Sequence, residues 1–139
     1  VSAVADLPRE EFAFPGPLRD TLVAAILSGA KTSTSSLVRE YEHEGEPLPE
    51  PHRGVLIDSD GRPVAILRYS DAVVVRCGDV PLAHAITEGE GYTSVAEWRA
   101  GHESFWHSAE FRAELGDPDF RVTDDELVVL ERFVLERVL

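Results

Sequence analysis

Apolar positions along the chain switch between helical and strand-like periods, and glycine and proline mark the changes. After Gly16, Pro17 stands at a first helical position, where its missing N–H is not needed, and Leu18, Leu22, Ala25 and Ile26 recur at helical spacing. Gly29 is placed to end this helix, so the stretch GAKTSTSS, Gly29 to Ser36, leaves its exit. The polar, proline-rich LVREYEHEGEPLPEPHR then predicts a short helical or extended piece and an ordered loop, a lid or rim. GVLID and RPVAILRYS flank Ser59-Asp60-Gly61, a hairpin signal, and DAVVVRC adds a third β-branched run. Gly54 to Cys77 therefore reads as an antiparallel meander.

Farther on, Asp79 is placed to cap a short helix, VPLAHAIT, and Ser94 with Glu97 has capping-box spacing for a longer helix running to about Leu115. On that helix Trp98, His102, Phe105 and Ala109 share one face, expected to pack on the sheet, while His107 falls off it and is expected at the surface. The closing LVVLERFVLERVL is rich in β-branched residues and predicts a strand. Residues 1–11 lack periodicity and read as a flexible arm, leaving 12–139 as one domain of the α+β class.

Composition narrows the function. The 139 residues, 43% of them hydrophobic, suffice for one core. A net charge of −13 opposes long-range attraction to phosphate backbones and anionic membranes, although a local basic pocket would still hold one nucleotide. One cysteine, Cys77, rules out an intramolecular disulfide and a cysteine-based zinc site and fits a reducing cytoplasm. The five histidines lack HExxH spacing, so neither metal nor cofactor is expected. No apolar run approaches the roughly 18 residues a membrane helix needs. Walker, GxGxxG and GxSxG signatures are absent too, which removes the corresponding nucleotide, dinucleotide and α/β-hydrolase chemistries.

Two short stretches carry candidate chemistry. Lys31 and Thr34 stand three residues apart, so a turn-like backbone would bring ammonium and hydroxyl together; the lysine either activates the threonine or stays charged and holds an oxyanion. Equally, Lys31 would answer the negative end of the first helix while the hydroxyls cap turns. Glu88-Gly89-Glu90-Gly91 offers two carboxylates on a backbone that can approach a ligand, or a solvated acidic turn.

Taken in order, SGAKTSTSSL, YEHEGEPLP, GRPVAILR, AITEGEGYTSVAEW with His102 beyond it, and LERF make the chain resemble the ASCH domain family, a PUA-like group. The resemblance implies a mostly antiparallel β-barrel with flanking helices and a cleft that faces RNA or a nucleotide-like ligand. The family's GxKxx[ST] hallmark falls on Gly29, Lys31 and Thr34. Some relatives look like amidohydrolases of N4-acylated cytidine nucleosides, which implies a catalytic set of Lys31, Thr34 and Glu88, with Glu90 as the alternative carboxylate; others have been described as ribonucleases. Gly29, Ser35, Arg68, Tyr92, Trp98 and His102 are the expected ligand contacts, with Arg53 and Arg76 further candidates for phosphate. The expected partner is a nucleoside or a short single-stranded RNA. Rival readings are a binding module without turnover and a regulatory domain that meets a basic protein through its acidic surface.

Overall fold

The computed structural model describes residues 4–139. Strands β1 (Arg9–Glu10), β2 (Ser33–Leu37), β3 (His52–Ile57), β4 (Pro63–Arg76) and β5 (Leu127–Val138) form one sheet in the order β1-β3-β4-β5-β2. Helices α1 (Pro17–Leu27), α2 (Val38–Glu44), α3 (Leu82–Thr87), α4 (Val95–Trp106) and α5 (Ala109–Leu115) flank it. All pairings are antiparallel except β1 with β3. The α+β class stands, but the barrel does not close. The outer strands β1 and β2 never pair, and β1 is only two residues long, so the sheet curls into an open half-barrel.

The three-stranded meander is corrected to a hairpin with one long arm. Ser70-Asp71 holds neither glycine nor proline, so the chain runs on as the 14-residue β4, paired along its length with the 12-residue β5. Between Tyr69 and Asp71 the register shifts by one residue, the kind of bulge that adds curl. The turn from β3 to β4 is held by Asp58, whose carboxylate accepts from the Asp60 and Arg62 amides.

The expected arm is also revised. Its first three residues lie outside the described ones, but Arg9 and Glu10 add a strand to the sheet edge. Arg19 locks the segment that follows. The buried stripe of α1 is Arg19, Leu22, Val23 and Ile26, with Leu18 left exposed. Arg19 donates to the Phe12 carbonyl at 3.0 Å, the Ala13 carbonyl at 2.7 Å and the Glu11 carboxylate at 3.3 Å. This holds Phe12 over Tyr69 and Phe133, in a core that also takes Leu22, Ile26, Leu56 and Leu67.

A second core joins Leu37, Val128 and Leu130 of the sheet to Ala85, Trp98, Trp106, Phe111 and Leu115 of α3 to α5. The long helix expected to reach Leu115 breaks at Ser108, whose hydroxyl caps α5 by accepting from the Phe111 amide. Ala109 is therefore parted from the Trp98 face. His107 is half-buried rather than at the surface, because its Nε2 accepts the Val122 amide at 2.9 Å; burial lowers its pKa. Asp79 caps nothing: α3 starts after Pro81, and Asp79 pairs with Arg76. No helix among the described residues is long and apolar enough to cross a membrane.

Replacing Arg19 with methionine keeps the stem and strands the Phe12 and Ala13 carbonyls. The expected cost is about 2–4 kcal/mol in urea denaturation; an unchanged midpoint would show that the Phe12 segment is held by its apolar contacts alone.

Candidate functional site

Gly29, at φ +84, ends α1 in the left-handed conformation, and the Lys31 amide still returns to the Ala25 carbonyl at 3.1 Å. That exit turns the Lys31 side chain inward, where it is 2% exposed. Its Nζ donates to the Ser33 carbonyl at 2.9 Å, the Glu88 carbonyl at 3.3 Å and Glu90 Oε2 at 3.2 Å, with Glu88 Oε1 at 3.7 Å. Three acceptors match the three N–H donors of an ammonium. The Phe12 ring lies 5.9 Å away.

Glu88 is buried as deeply, and every element around it supplies a donor. Its Oε2 accepts from Ser35 Oγ of β2 at 2.5 Å, His84 Nε2 of α3 at 2.9 Å and Trp98 Nε1 of α4 at 2.6 Å. Its Oε1 accepts from His102 Nε2 at 3.0 Å, while His102 Nδ1 donates to the Trp98 carbonyl. Burial alone would raise the pKa of Glu88, but the histidine donors and the Lys31 charge outweigh it and hold the carboxyl well below its ordinary range. Glu90 moves the opposite way. Burial raises its pKa and the Glu88 charge adds to that, against Lys31. The pKa values of the two carboxylates of one turn are thus moved in opposite directions.

Gly89 makes this turn possible. At φ +68 its Cα lies against the Ala30 carbonyl and the Lys31 amide, where a Cβ has no room. The Thr32 amide in turn donates to the Thr87 carbonyl at 2.9 Å, which binds the two expected stretches to each other.

A cavity of about 650 Å³ opens onto this cluster. Lys31, Thr34, Ser35, Glu88, Glu90, Tyr92 and His102 all line it. Three other expected contacts do not. Trp98 is wholly buried beneath Glu88, stacked on His102 at 4.4 Å, so it positions the carboxylate and offers no face to a base. Gly29 sits in an exposed turn outside the lining. Arg68 is exposed opposite Arg53 in the β3–β4 pair; Arg53 pairs with Glu136, and Arg76 with Asp79 and Asp125. Strand alternation turns Arg53 and Arg68 away from the cavity, and Arg76 stands at the far end of β4, outside the lining.

The far end of the cavity carries residues to which the sequence assigned no role: Glu10, Phe12, Tyr69, Glu131, and Glu40 and Tyr41 of α2, which makes the expected rim a wall. Glu131 had one legible signal, a charge at the inward position between Val129 and Phe133. Ligand atoms of Glu88, Glu90 and His102 come within 4.8 Å of one another, close enough to share a cation. Lys31 already engages both carboxylates, so an ion there would first have to displace an ammonium.

Because Glu88 has a lowered pKa, its stabilisation is complete above its ordinary value near 4.5 and is lost as pH falls below that value. Glu88→Gln presents amide hydrogens to a site built of donors and is expected to cost about 3 kcal/mol at pH 7. Urea denaturation from pH 3 to 7 should show wild type converging on the variant in acid; parallel curves would mean that Glu88 is not held ionised.

Comparison with known proteins fits this architecture. A crystal structure of a protein from Enterococcus faecalis V583 superposes with a TM-score of 0.80 at 23% identity, covering 94% of this chain and 77% of that one. That of an ASCH domain from Lactobacillus crispatus JV V101 gives a TM-score of 0.77 at 30% identity, covering 92% and 78%. No curated protein matches the sequence. The family model described as ASCH domain matches residues 11–137, nearly the whole span from β1 to the end of β5. With a model over most of its length and a solved relative at 30% identity, the chain belongs to the ASCH domain family.

Proposed function

We propose that this protein is a hydrolase that removes an acyl group from the exocyclic nitrogen of a nucleoside held in the cavity, an N4-acylcytidine or a close analogue. The reading rests on the convergence of Lys31, Thr34 and Glu90 on one concave site with Glu88 buried behind them. Thr34 Oγ1 attacks the acyl carbon and its proton passes to the Glu90 carboxylate. The carbonyl oxygen takes up the negative charge beside the Lys31 ammonium. Collapse breaks the C–N bond, and Glu90 returns the proton to the departing nitrogen. Water then cleaves the threonyl ester through the same carboxylate, releasing the acid and restoring Thr34.

This assigns the base to Glu90 rather than to Lys31 or Glu88. All three N–H donors of Lys31 have acceptors, so it is not set to take a proton from Thr34 and acts on the oxyanion through its charge. Glu88 is filled by donors and held ionised, whereas Glu90 borders the cavity with a raised pKa, the property a proton carrier needs.

The family is linked to RNA binding in general. For this chain a single uncharged nucleoside is the better ligand than a phosphodiester. Eight glutamates line the cavity against Arg9, Arg19 and Lys31, and each of these cations is already paired or hydrogen-bonded inside the protein. Such a surface repels phosphates.

The test is turnover of a panel of acylated nucleosides followed by mass spectrometry. Thr34→Ala, Glu90→Gln and Lys31→Met should each lower kcat by roughly 10²-fold or more, and Arg68→Ala should leave it unchanged. Nucleoside affinity should hardly vary between about 50 and 200 mM salt. Absence of turnover, together with salt-sensitive binding of short RNAs, would replace this reading with backbone recognition.

A further inference from the structure

At the far end of the cavity one buried carboxyl group has no partner. Glu131 is 7% exposed and lines the cavity, and among the described residues no hydrogen bond or ion pair engages it. Its titratable neighbours are already engaged. Glu10 on β1 accepts from His52 Nε2 of β3 at 2.8 Å and from the Tyr69 hydroxyl of β4 at 3.5 Å; His52 Nδ1 donates to the Glu50 carbonyl. On α2, Glu40 accepts the Leu37 amide at 2.7 Å, and the Tyr41 hydroxyl lies 3.3 Å from Ser36 Oγ. No sealed side-chain polar atom among the described residues lacks a partner, so the Glu131 oxygens open on the cavity, where a ligand can supply the donor that the protein does not. Thr34 is its cross-strand partner in the β2–β5 pair, so the two side chains project from the same face.

We propose that Glu131 is a specificity residue that accepts a hydrogen bond from the N–H of the nitrogen bearing the scissile acyl group, so that the site selects a 4-amino or 4-acylamino pyrimidine over its 4-oxo analogue. This rests on the nucleoside reading above and assigns the group that recognises the base edge. Thr34 reaches the acyl carbon from the same sheet face on which Glu131 meets the adjoining nitrogen. A 4-oxo group would set two acceptors against each other unless Glu131 were protonated. Burial pushes the Glu131 pKa up to about 7, the nearby Glu10 charge adding and His52 opposing. Discrimination therefore grows as pH rises through neutrality and Glu131 ionises. Tyr41 stays protonated there, its pKa pushed up to about 12, and Tyr69 is raised well above its ordinary value. Glu40 titrates in the same range, and only the Glu131 variant separates the two.

Isothermal titration of cytidine and uridine into wild type and Glu131→Gln at pH 6 and pH 8 decides the matter. Wild type should bind cytidine about tenfold more tightly than uridine at pH 8, with the ratio shrinking at pH 6. In Glu131→Gln, whose amide can rotate to meet either base, the ratio should approach one at both pH values. Equal binding in wild type, or a ratio unmoved by the variant, overturns the assignment of Glu131; if acylcytidine turnover persists in that case, the hydrolase reading stands without it. If neither nucleoside binds and no acylated nucleoside turns over, both readings fall. Should Glu131→Gln not fold, a flat wild-type ratio between pH 6 and pH 8 still overturns the proposal.

Discussion

The structure is organised around the cost of burying one carboxylate. Glu88 lies almost wholly out of water, and an ion there persists only if donors surround it. They come from β2, α3 and α4, with the Lys31 ammonium closing the set. Each donor fixes the element that carries it, so the same contacts that make the charge tolerable also set the first helix exit against the α3–α4 turn. A cavity wall of defined shape follows from electrostatics as much as from apolar packing.

That arrangement divides labour between two glutamates two residues apart. The inner one is saturated and structural in effect, while the outer one meets Lys31 and faces the cavity. Gly89 between them allows the chain to press on the Ala30–Lys31 backbone and turn both side chains toward the lysine. Similar logic holds at the other end, where Glu10 is satisfied by His52 and Tyr69 and Glu131 is not. At both ends a saturated carboxylate stands beside one open to the cavity.

Much of the fold was legible because it rests on local signals. Pro17 and Gly29 bound α1, Asp58 to Gly61 turns the hairpin, and the β-branched tail forms β5. Errors arose where a distant partner overrode a local pattern. Ser70-Asp71 read as a break, yet β5 is long enough to keep β4 continuous; Trp98 read as a ligand contact, yet its N–H is needed inside by Glu88. Arg19 lay outside the apolar periodicity of its helix, although its guanidinium is what the carbonyls of Phe12 and Ala13 require.

By itself the sequence determined the family motifs, the limits of the first helix, the acidic character and the two stretches from which Lys31, Thr34, Glu88 and Glu90 come. These depend on nearest neighbours, on composition and on ordered spacing, all of which are written along the chain. Only the tertiary structure decided which glutamate is sealed and which is open, that Arg68 and Trp98 stay out of the cavity lining, and that Glu131 joins it. Those outcomes depend on solvent access and on donors brought from residues 50 or more positions away, and neither quantity exists until the sheet has curled and the helices have packed.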